Sequence, residues 1–384
     1  MITRHILPAA RFALSQFRAV CLTGPRQSGK TTLAKQLFAH KPYVNFENPA
    51  TEFEATQHPQ KFLRQYPSGA VLDEVQRVPH IFRYLHEILD GNRERGQFLL
   101  TGSNNFLLQE QVSQSLAGRA GYLTLLPLSY REIKKVGKPR TDLTSLLFNG
   151  GYPEIWAESL SASEWLNSYV QTYVQRDVRL LRNITNLAAF TKFVYLTATY
   201  AGQMLNRDDL ARTTGVDTKT VLAWLGLLES SYLIHLLQPW HNNMNKRIIK
   251  SPKVYFYDTG LLCRLLGITR PSSIARHAAY GAIFENWIVS EVKKNAFNEG
   301  RVEPLYYFRD NVGNEVDLVW ERDGDILGME IKSGSKFNPT MLKGLNFWRR
   351  NQPAAKGILI HTGSVSQPLE GPITLVPWTE VENL

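Results

Sequence analysis

The string GPRQSGKT, Gly24 to Thr31, decides how the first part of this chain folds. It has both glycines, the lysine and the hydroxyl residue of a phosphate-binding loop at the required spacing. The apolar run Ala19 to Thr23 before it reads as a buried parallel strand, and Thr32 to Phe38 after it reads as a helix. A glycine-rich turn between strand and helix aims successive backbone N–H groups, and the positive end of the helix, at a chain of phosphates. Gly24, Pro25, Arg26, Gln27, Ser28, Gly29, Lys30, Thr31 and Thr32 are therefore the candidate nucleotide-binding residues. Within that set, Gly29 allows close backbone approach, Lys30 reaches the β and γ phosphates of ATP, and Thr31 holds Mg2+ through its hydroxyl.

Downstream, Gly69-Ala-Val-Leu-Asp73-Glu74 is a short apolar strand that ends in two acids. A carboxylate at a strand end beside a phosphate loop positions magnesium, the role expected of Asp73, while its neighbour Glu74 polarises water. A further apolar strand, Phe98 to Thr101, runs into Gly102-Ser103-Asn104. Ser103 and Asn104 are candidates to touch the γ-phosphate or the attacking water, although Gly, Ser and Asn also build ordinary turns. In QSLAGRAG (Gln114 to Gly121), Arg119 is either an arginine finger offered to a neighbouring subunit's nucleotide or a solvated surface residue.

Composition bounds the rest. The chain has 384 residues, 43% hydrophobic and 20% charged, as expected of two or three ordinary globular domains. Cys21 and Cys263 are its only cysteines and lie in apolar surroundings, so neither a disulfide framework nor a zinc site is expected. Pro8 and Arg11 interrupt the N-terminal stretch, which argues against a signal peptide. No apolar run reaches spanning length, and a cytoplasmic location is expected with no membrane partner. The net charge is +10. Lys and Arg outnumber Asp and Glu by 19 to 11 over residues 1–150 and by 13 to 9 over 151–275, whereas residues 276–384 carry 12 against 14. The basic excess is compatible with DNA as a partner, or with solubility alone.

The middle of the chain reads as helical from Trp165 to Arg182, including Arg176, and again from Phe190 to Tyr200. Residues 205 to 230 follow, with a short helix, a Gly215-Val216 turn, an Asp217 or Thr218 cap and a second apolar-striped helix. Tyr232 to Gln238 and Lys253 to Tyr257 then read as a two-stranded wing carrying Lys246, Arg247, Lys250 and Lys253. A winged helix either enters a DNA groove or serves as a packing module. Thr218, Lys219 and Thr220 are the few side chains available to read bases, which favours phosphate-only contact.

The last third holds a helix, Tyr280 to Asn295, with Glu285 in it. A strand with Asp317 and a strand ILGMEIK (Ile326 to Lys332) follow. Alternation places Glu330 and Lys332 on one face of that second strand. Two carboxylates beside a lysine are the makings of a divalent-metal site acting on a scissile phosphate, although charges on an exposed strand face produce the same pattern.

Seven strings carry a family resemblance: GPRQSGKTTLAKQL, VLDEVQRVP, LTGSN, SLAGRAG with PLSYREI (Pro127 to Ile133), GGYPE (Gly150 to Glu154) and KSPKVYFYDTGL (Lys250 to Leu261). The chain resembles the AAA+ superfamily of ring-forming or switch ATPases. More narrowly it is similar to the prokaryotic family that joins an AAA-type ATPase to a C-terminal domain of uncharacterised function. The segment from Glu285 to Lys332 resembles the restriction-endonuclease-like fold. These resemblances imply an α/β chain in three parts: an ATPase domain over 1–155, a helical and winged-helix region over 156–270 and a restriction-endonuclease-like α/β domain over 271–384. They also imply a homo-oligomer of the ring-forming kind, with DNA as a partner held through its backbone, in which Arg176 senses nucleotide or neighbour. In the last domain they imply Glu285, Asp317 and Glu330 as metal ligands, with Asp317, Glu330 and Lys332 as a nuclease set. The alternative reading is a nucleotide-dependent regulatory switch whose nuclease-like domain binds without cutting.

Overall fold

The computed structural model describes residues 2–103, 115–136, 142–172, 184, 186–240, 251–322 and 324–384. Asn104, Arg176, Lys246, Arg247 and Lys250 lie outside them. The chain divides into two compact units. The first comprises Met1–Leu128 with Ser230–Tyr232 and Phe297–Arg301, and the second the remainder.

In the first unit, β1 (Ala19–Thr23), β2 (Tyr43–Asn45), β3 (Val71–Asp73), β4 (Phe98–Gly102) and β5 (Ala120–Thr124) form one sheet in the order β2-β3-β4-β1-β5. Every pairing is parallel. The strands read as continuous apolar runs because both faces are covered. Ala19, Cys21, Leu72, Phe98 and Leu100 point to one core, with Ile81, Phe82, Leu85 and Leu89 of helix Ile81–Gly91. Val20, Leu22, Val71, Leu99 and Leu123 point to the other, with Leu7, Ala10 and Ala13 of α1 (Leu7–Gln16) and Leu33 and Ala34 of α2 (Lys30–Leu37). Alternate residues thus serve opposite layers, as the two-residue strand period dictates. Because the crossovers are all parallel, the C-terminal ends of β1, β3 and β4 share one edge of the sheet, where open α/β sheets bind ligands.

The second unit contains an eight-stranded mixed sheet in the order β12-β13-β11-β10-β9-β8-β6-β7. Its strands are β6 (Ile234–Pro239), β7 (Lys253–Phe256), β8 (Leu305–Arg309), β9 (Glu315–Arg322), β10 (Asp325–Lys332), β11 (Lys356–His361), β12 (Gln367–Pro368) and β13 (Ile373–Pro377). The expected two-stranded wing is the antiparallel pair β6–β7, with Ile234 opposite Phe256. It does not stand apart, because Gln238 and Pro239 pair with Tyr306 and Tyr307 of β8 and draw the hairpin into the sheet. The helix-turn-helix spacing is present as α3 (Arg207–Thr214), Gly215 in the left-handed region (φ 74°) and α4 (Thr218–Ser230). Thr218 Oγ1 bonds Asp208 (3.4 Å), and the amide of Thr220 bonds Asp217 (2.7 Å). Two of the three candidate base-reading residues are therefore engaged in local capping, leaving Lys219 as the exposed one. The long helix α5 (Tyr280–Asn298) and α6 (Lys343–Arg350) complete the parts used below. Among the described residues no helix is long and apolar enough to cross a membrane.

Candidate functional site

The phosphate-loop residues stand where β1 passes into α2. Gly24 (φ 147°) cannot be replaced without collision, since a Cβ there lies 2.1 Å from the carbonyl oxygen of Leu125. Gly29 caps α2 in the left-handed region at φ 93°, a conformation glycine adopts without steric cost. Lys30 is buried, and its Nζ donates to the carbonyls of Gly24 (2.9 Å) and Pro25 (2.8 Å). Burial pushes its pKa down to about 8, against the pull of Glu74 and Asp73. A bound triphosphate restores the charged form, so nucleotide binding at about pH 8.5 is expected to take up a proton and at about pH 6.5 none through this lysine. Calorimetry in two buffers of different ionisation enthalpy checks this, and equal heats at the higher pH refute it.

The two acids at the end of β3 diverge. Asp73 turns back to the loop: Oδ2 accepts from Thr31 Oγ1 (2.9 Å) and from the Tyr43 hydroxyl (2.5 Å), and Oδ1 accepts from Thr101. Glu74 takes a left-handed backbone (φ 55°, ψ 43°) that a non-glycine residue seldom adopts. Its Oε2 accepts from Ser103 Oγ at the tip of β4 (2.9 Å) and from Gln76 Nε2 (2.5 Å). The structure thus brings Lys30, Thr31, Asp73, Glu74 and Ser103 to one edge of the sheet. A hydroxyl and a hard carboxylate 2.9 Å apart suit magnesium, which prefers oxygen donors.

Arg119 is not at that edge. It precedes β5, whose Ala120 pairs with Ala19, whereas the phosphate loop follows Thr23, paired with Thr124. Four residues at about 3.3 Å rise separate the two edges by about 13 Å. There Arg119 grips Asp90 through Nε (2.6 Å) and Nη2 (2.9 Å), and holds that carboxyl below its usual range.

The second constellation assembles on the second unit's sheet. Asp317 on β9 and Glu330 and Lys332 on β10 meet as expected. Lys332 Nζ lies 2.5 Å from Glu330 Oε1 and 3.7 Å from Asp317 Oδ2, and the amide of Ile331 donates to that same Oδ2 at 2.8 Å. Glu285 reaches the group from α5. Two unexpected members join it. Glu315 shares the Asp317 face of β9, and Lys253 of β7 is buried rather than displayed on a wing. Lys253 Nζ lies 2.5 Å from Glu315 Oε1, 3.2 Å from Glu285 Oε1 and 4.0 Å from Asp317 Oδ1. Of the two roles open to the wing, Lys253 takes the packing one, because its charge is met by Glu315 and Glu285. Burial, then Asp317, pushes Glu285 up to about 7 and Glu330 up to about 8. Glu330 Oε2 is buried without a hydrogen-bond partner. Among the described residues no three His, Cys, Asp or Glu side chains are arranged to hold a metal ion. Two ammonium groups sit between the carboxylates instead.

Three family models match the chain: AAA domain over residues 16–134, Domain of unknown function (DUF8612) over 140–272 and Domain of unknown function (DUF4143) over 280–381. Uncharacterized proteins of Mycobacterium bovis and Mycobacterium tuberculosis are each 31% identical to it over 377 residues, covering 97% of this chain and 82% of theirs. The chain belongs to their family of AAA-type P-loop ATPases. An uncharacterized protein of Haemophilus influenzae is 20% identical over 343 residues, 81% of each chain. Among solved structures, the Walker-type ATPase PABY2304 of Pyrococcus abyssi aligns with a TM-score of 0.49 at 14% identity, covering 69% of this chain and 96% of that one.

Sequence reasoning missed several residues of this AAA-type ATPase that its geometry brings forward. Tyr43 and Thr101 both bind Asp73, and Gln76 binds Glu74. The buried Tyr232 hydroxyl meets Thr23 Oγ1 (2.6 Å) immediately before the loop. Tyr43 and Thr101 carry a usable signal, since each lies on a strand flanking the acid pair. Tyr232, 209 residues from Thr23, carries none.

Proposed function

We propose that this AAA-type protein hydrolyses ATP with Lys30 on the phosphates, Thr31 and Asp73 on magnesium and Glu74 orienting the attacking water, and that it works on DNA held by its phosphate backbone. The observation that supports the ATP reading most is the pairing at one sheet edge of Thr31 with Asp73 and of Ser103 with Glu74. Magnesium there supplies charge neutralisation at the phosphates. The chain's own residues do the rest: the loop amides and Lys30 orient the triphosphate, and Ser103 fixes the Glu74 carboxylate beside the strand tip. The basic excess of residues 1–275 supports backbone contact with DNA, and α4 offers few groups for reading bases. The deciding measurement is ATPase rate with and without duplex, forked and single-stranded DNA. Stimulation together with binding is expected; no binding and no stimulation by any of the three removes the DNA reading.

A second reading has a specific observation in its favour. In it the protein is a nucleotide-dependent switch, and the C-terminal domain, which we read as restriction-endonuclease-like, binds without cutting. Lys253, which is outside the nuclease set, sits among the carboxylates that a cleaving site needs free, and the donors do not fit a metal as they stand. Unchanged DNA-linked activity in Asp317→Ala and Lys332→Ala, with loss in Lys30→Ala, is the result that favours it.

Oligomer formation is part of the same proposal. Because Arg119 lies on the far edge of its own sheet, it reaches a nucleotide only in a neighbouring copy. Mixing Lys30→Ala with Arg119→Ala protein is expected to restore part of the ATPase activity that each lacks alone. Full activity in a strictly monomeric protein removes the idea.

A further inference from the structure

We infer that Lys253 is a built-in counter-ion that fills and closes a latent divalent-cation site formed by Glu285, Glu315, Asp317 and Glu330. The inference rests on reading Asp317, Glu330 and Lys332 as the remains or the makings of a cation site. It goes beyond that reading in assigning what occupies the position.

Charge leads to this assignment. Four carboxylates converge from α5, β9 and β10, with Lys332 on β10 beside Glu330 and Asp317 and Arg309 of β8 on the outer oxygen of Glu315 (2.9 Å). Neither reaches Glu285 or Asp317 Oδ1 among the described ion pairs, and carboxylates this buried are costly unless their charges are compensated. That compensation arrives from β7. The Lys253 side chain is 2% exposed, passes over the ring of Tyr307 on β8 (5.6 Å) and ends among the three carboxylates of Glu285, Glu315 and Asp317. Tyr255, two residues on and so on the same face of β7, donates its hydroxyl to Glu285 Oε1 (2.6 Å).

The ammonium of Lys253 is held in place by Glu315 Oε1 at 2.5 Å and Glu285 Oε1 at 3.2 Å. Each oxygen of Asp317 then faces a different ammonium, Oδ1 towards Lys253 and Oδ2 towards Lys332. A divalent ion bridging these carboxylates would stand within a few ångströms of an ammonium, where like charges repel strongly in a buried setting. Glu330 Oε2, buried and unpartnered, is the donor left over by this arrangement. It marks a place where a cation other than lysine has a ligand waiting.

The consequence is a site whose affinity for metal is set by the β6–β7 hairpin. With Lys253 in place the cluster excludes divalent ions; with its charge removed, the same carboxylates accept one. Mn2+ titration of the nucleotide-free full-length protein, followed by the loss of the free-ion EPR signal, tests this without ATP or DNA, so its failure leaves the ATPase reading untouched. Lys253→Met is expected to gain one Mn2+ per chain that the unaltered protein does not bind. The gain is expected to vanish in Lys253→Met combined with Asp317→Asn. Mn2+ binding by the unaltered protein that Asp317→Asn abolishes overturns the inference, and so does a folded Lys253→Met that gains nothing. If Lys253→Met does not fold, Lys253→Gln, which keeps donors to the same carboxylates, carries the same comparison.

Discussion

Glu74→Gln is expected to lower the turnover of ATP by about 10²–10⁴-fold, the range that a positioned proton acceptor contributes, while ATP affinity stays within a few fold. Glutamine keeps the shape of the side chain and its bonds to Ser103 and Gln76. It removes only the negative charge that polarises water. The left-handed backbone at Glu74 is untouched, because it is set by the turn after β3 and not by the side-chain head group. The expected signature is therefore a fall in kcat with little change in KM, which is how loss of an interaction made only in the transition state reads. Lys30→Ala behaves differently. Lys30 reaches the phosphates already in the ground state, so its removal weakens nucleotide binding as well as turnover. Equal losses of affinity in the two variants would remove Glu74 from the catalytic role and leave it a structural cap of the strand.

The ATPase half was legible because its chemistry and its fold use the same short segments. GPRQSGKT fixes a strand end, a turn and a helix start within eight residues, and VLDE fixes a second strand end. Parallel strands buried on both faces announce themselves as apolar runs. What the residues themselves do not disclose is who their partners are across long separations. Tyr43 and Thr101 approach Asp73 only because β2 and β4 flank β3, an order that sequence does not state. Arg119 looked equally able to reach a phosphate or to do nothing. Its placement follows from the register of β5 on β1, which sets it at the edge opposite the loop.

In the C-terminal part the period-two pattern correctly put Glu330 and Lys332 on one face, and the antiparallel pairing of β9 with β10 brought Asp317 to them. Lys253 was misread for a physical reason. Four basic residues within eight positions, Lys246 to Lys253, look like one solvated patch. A lysine stem is long enough, however, to cross a neighbouring tyrosine ring and deliver its charge to acids on another strand. Glu315 was missed with it, since its value lies in the partner it meets.

Lys253→Ala should therefore be among the most destabilising single changes in the second unit. It leaves Glu285 without its cation and takes from Glu315 one of two, the other being Arg309 at 2.9 Å. Breaking a buried pair from one side costs about 3–5 kcal/mol. For a unit of this size that corresponds to a fall of roughly 6–20 °C in the midpoint of thermal unfolding. The loss has a defined pH dependence. Glu285 already has a folded pKa of about 7, raised from 4.5 by burial and by Asp317. A carboxyl whose folded pKa lies above its unfolded value stabilises the fold at low pH and loses that contribution as pH rises through the folded pKa. Removing Lys253 takes away one of the groups that lower the pKa, so the window widens upward. The defect is expected to be small near pH 5 and large near pH 8, the reverse of ordinary acid denaturation. Adding Glu285→Gln should recover part of the loss at the higher pH, because it removes the stranded charge. A defect that is equal at both pH values, or unrelieved by Glu285→Gln, would mean that Lys253 acts through its aliphatic packing against Tyr307 and not through its charge.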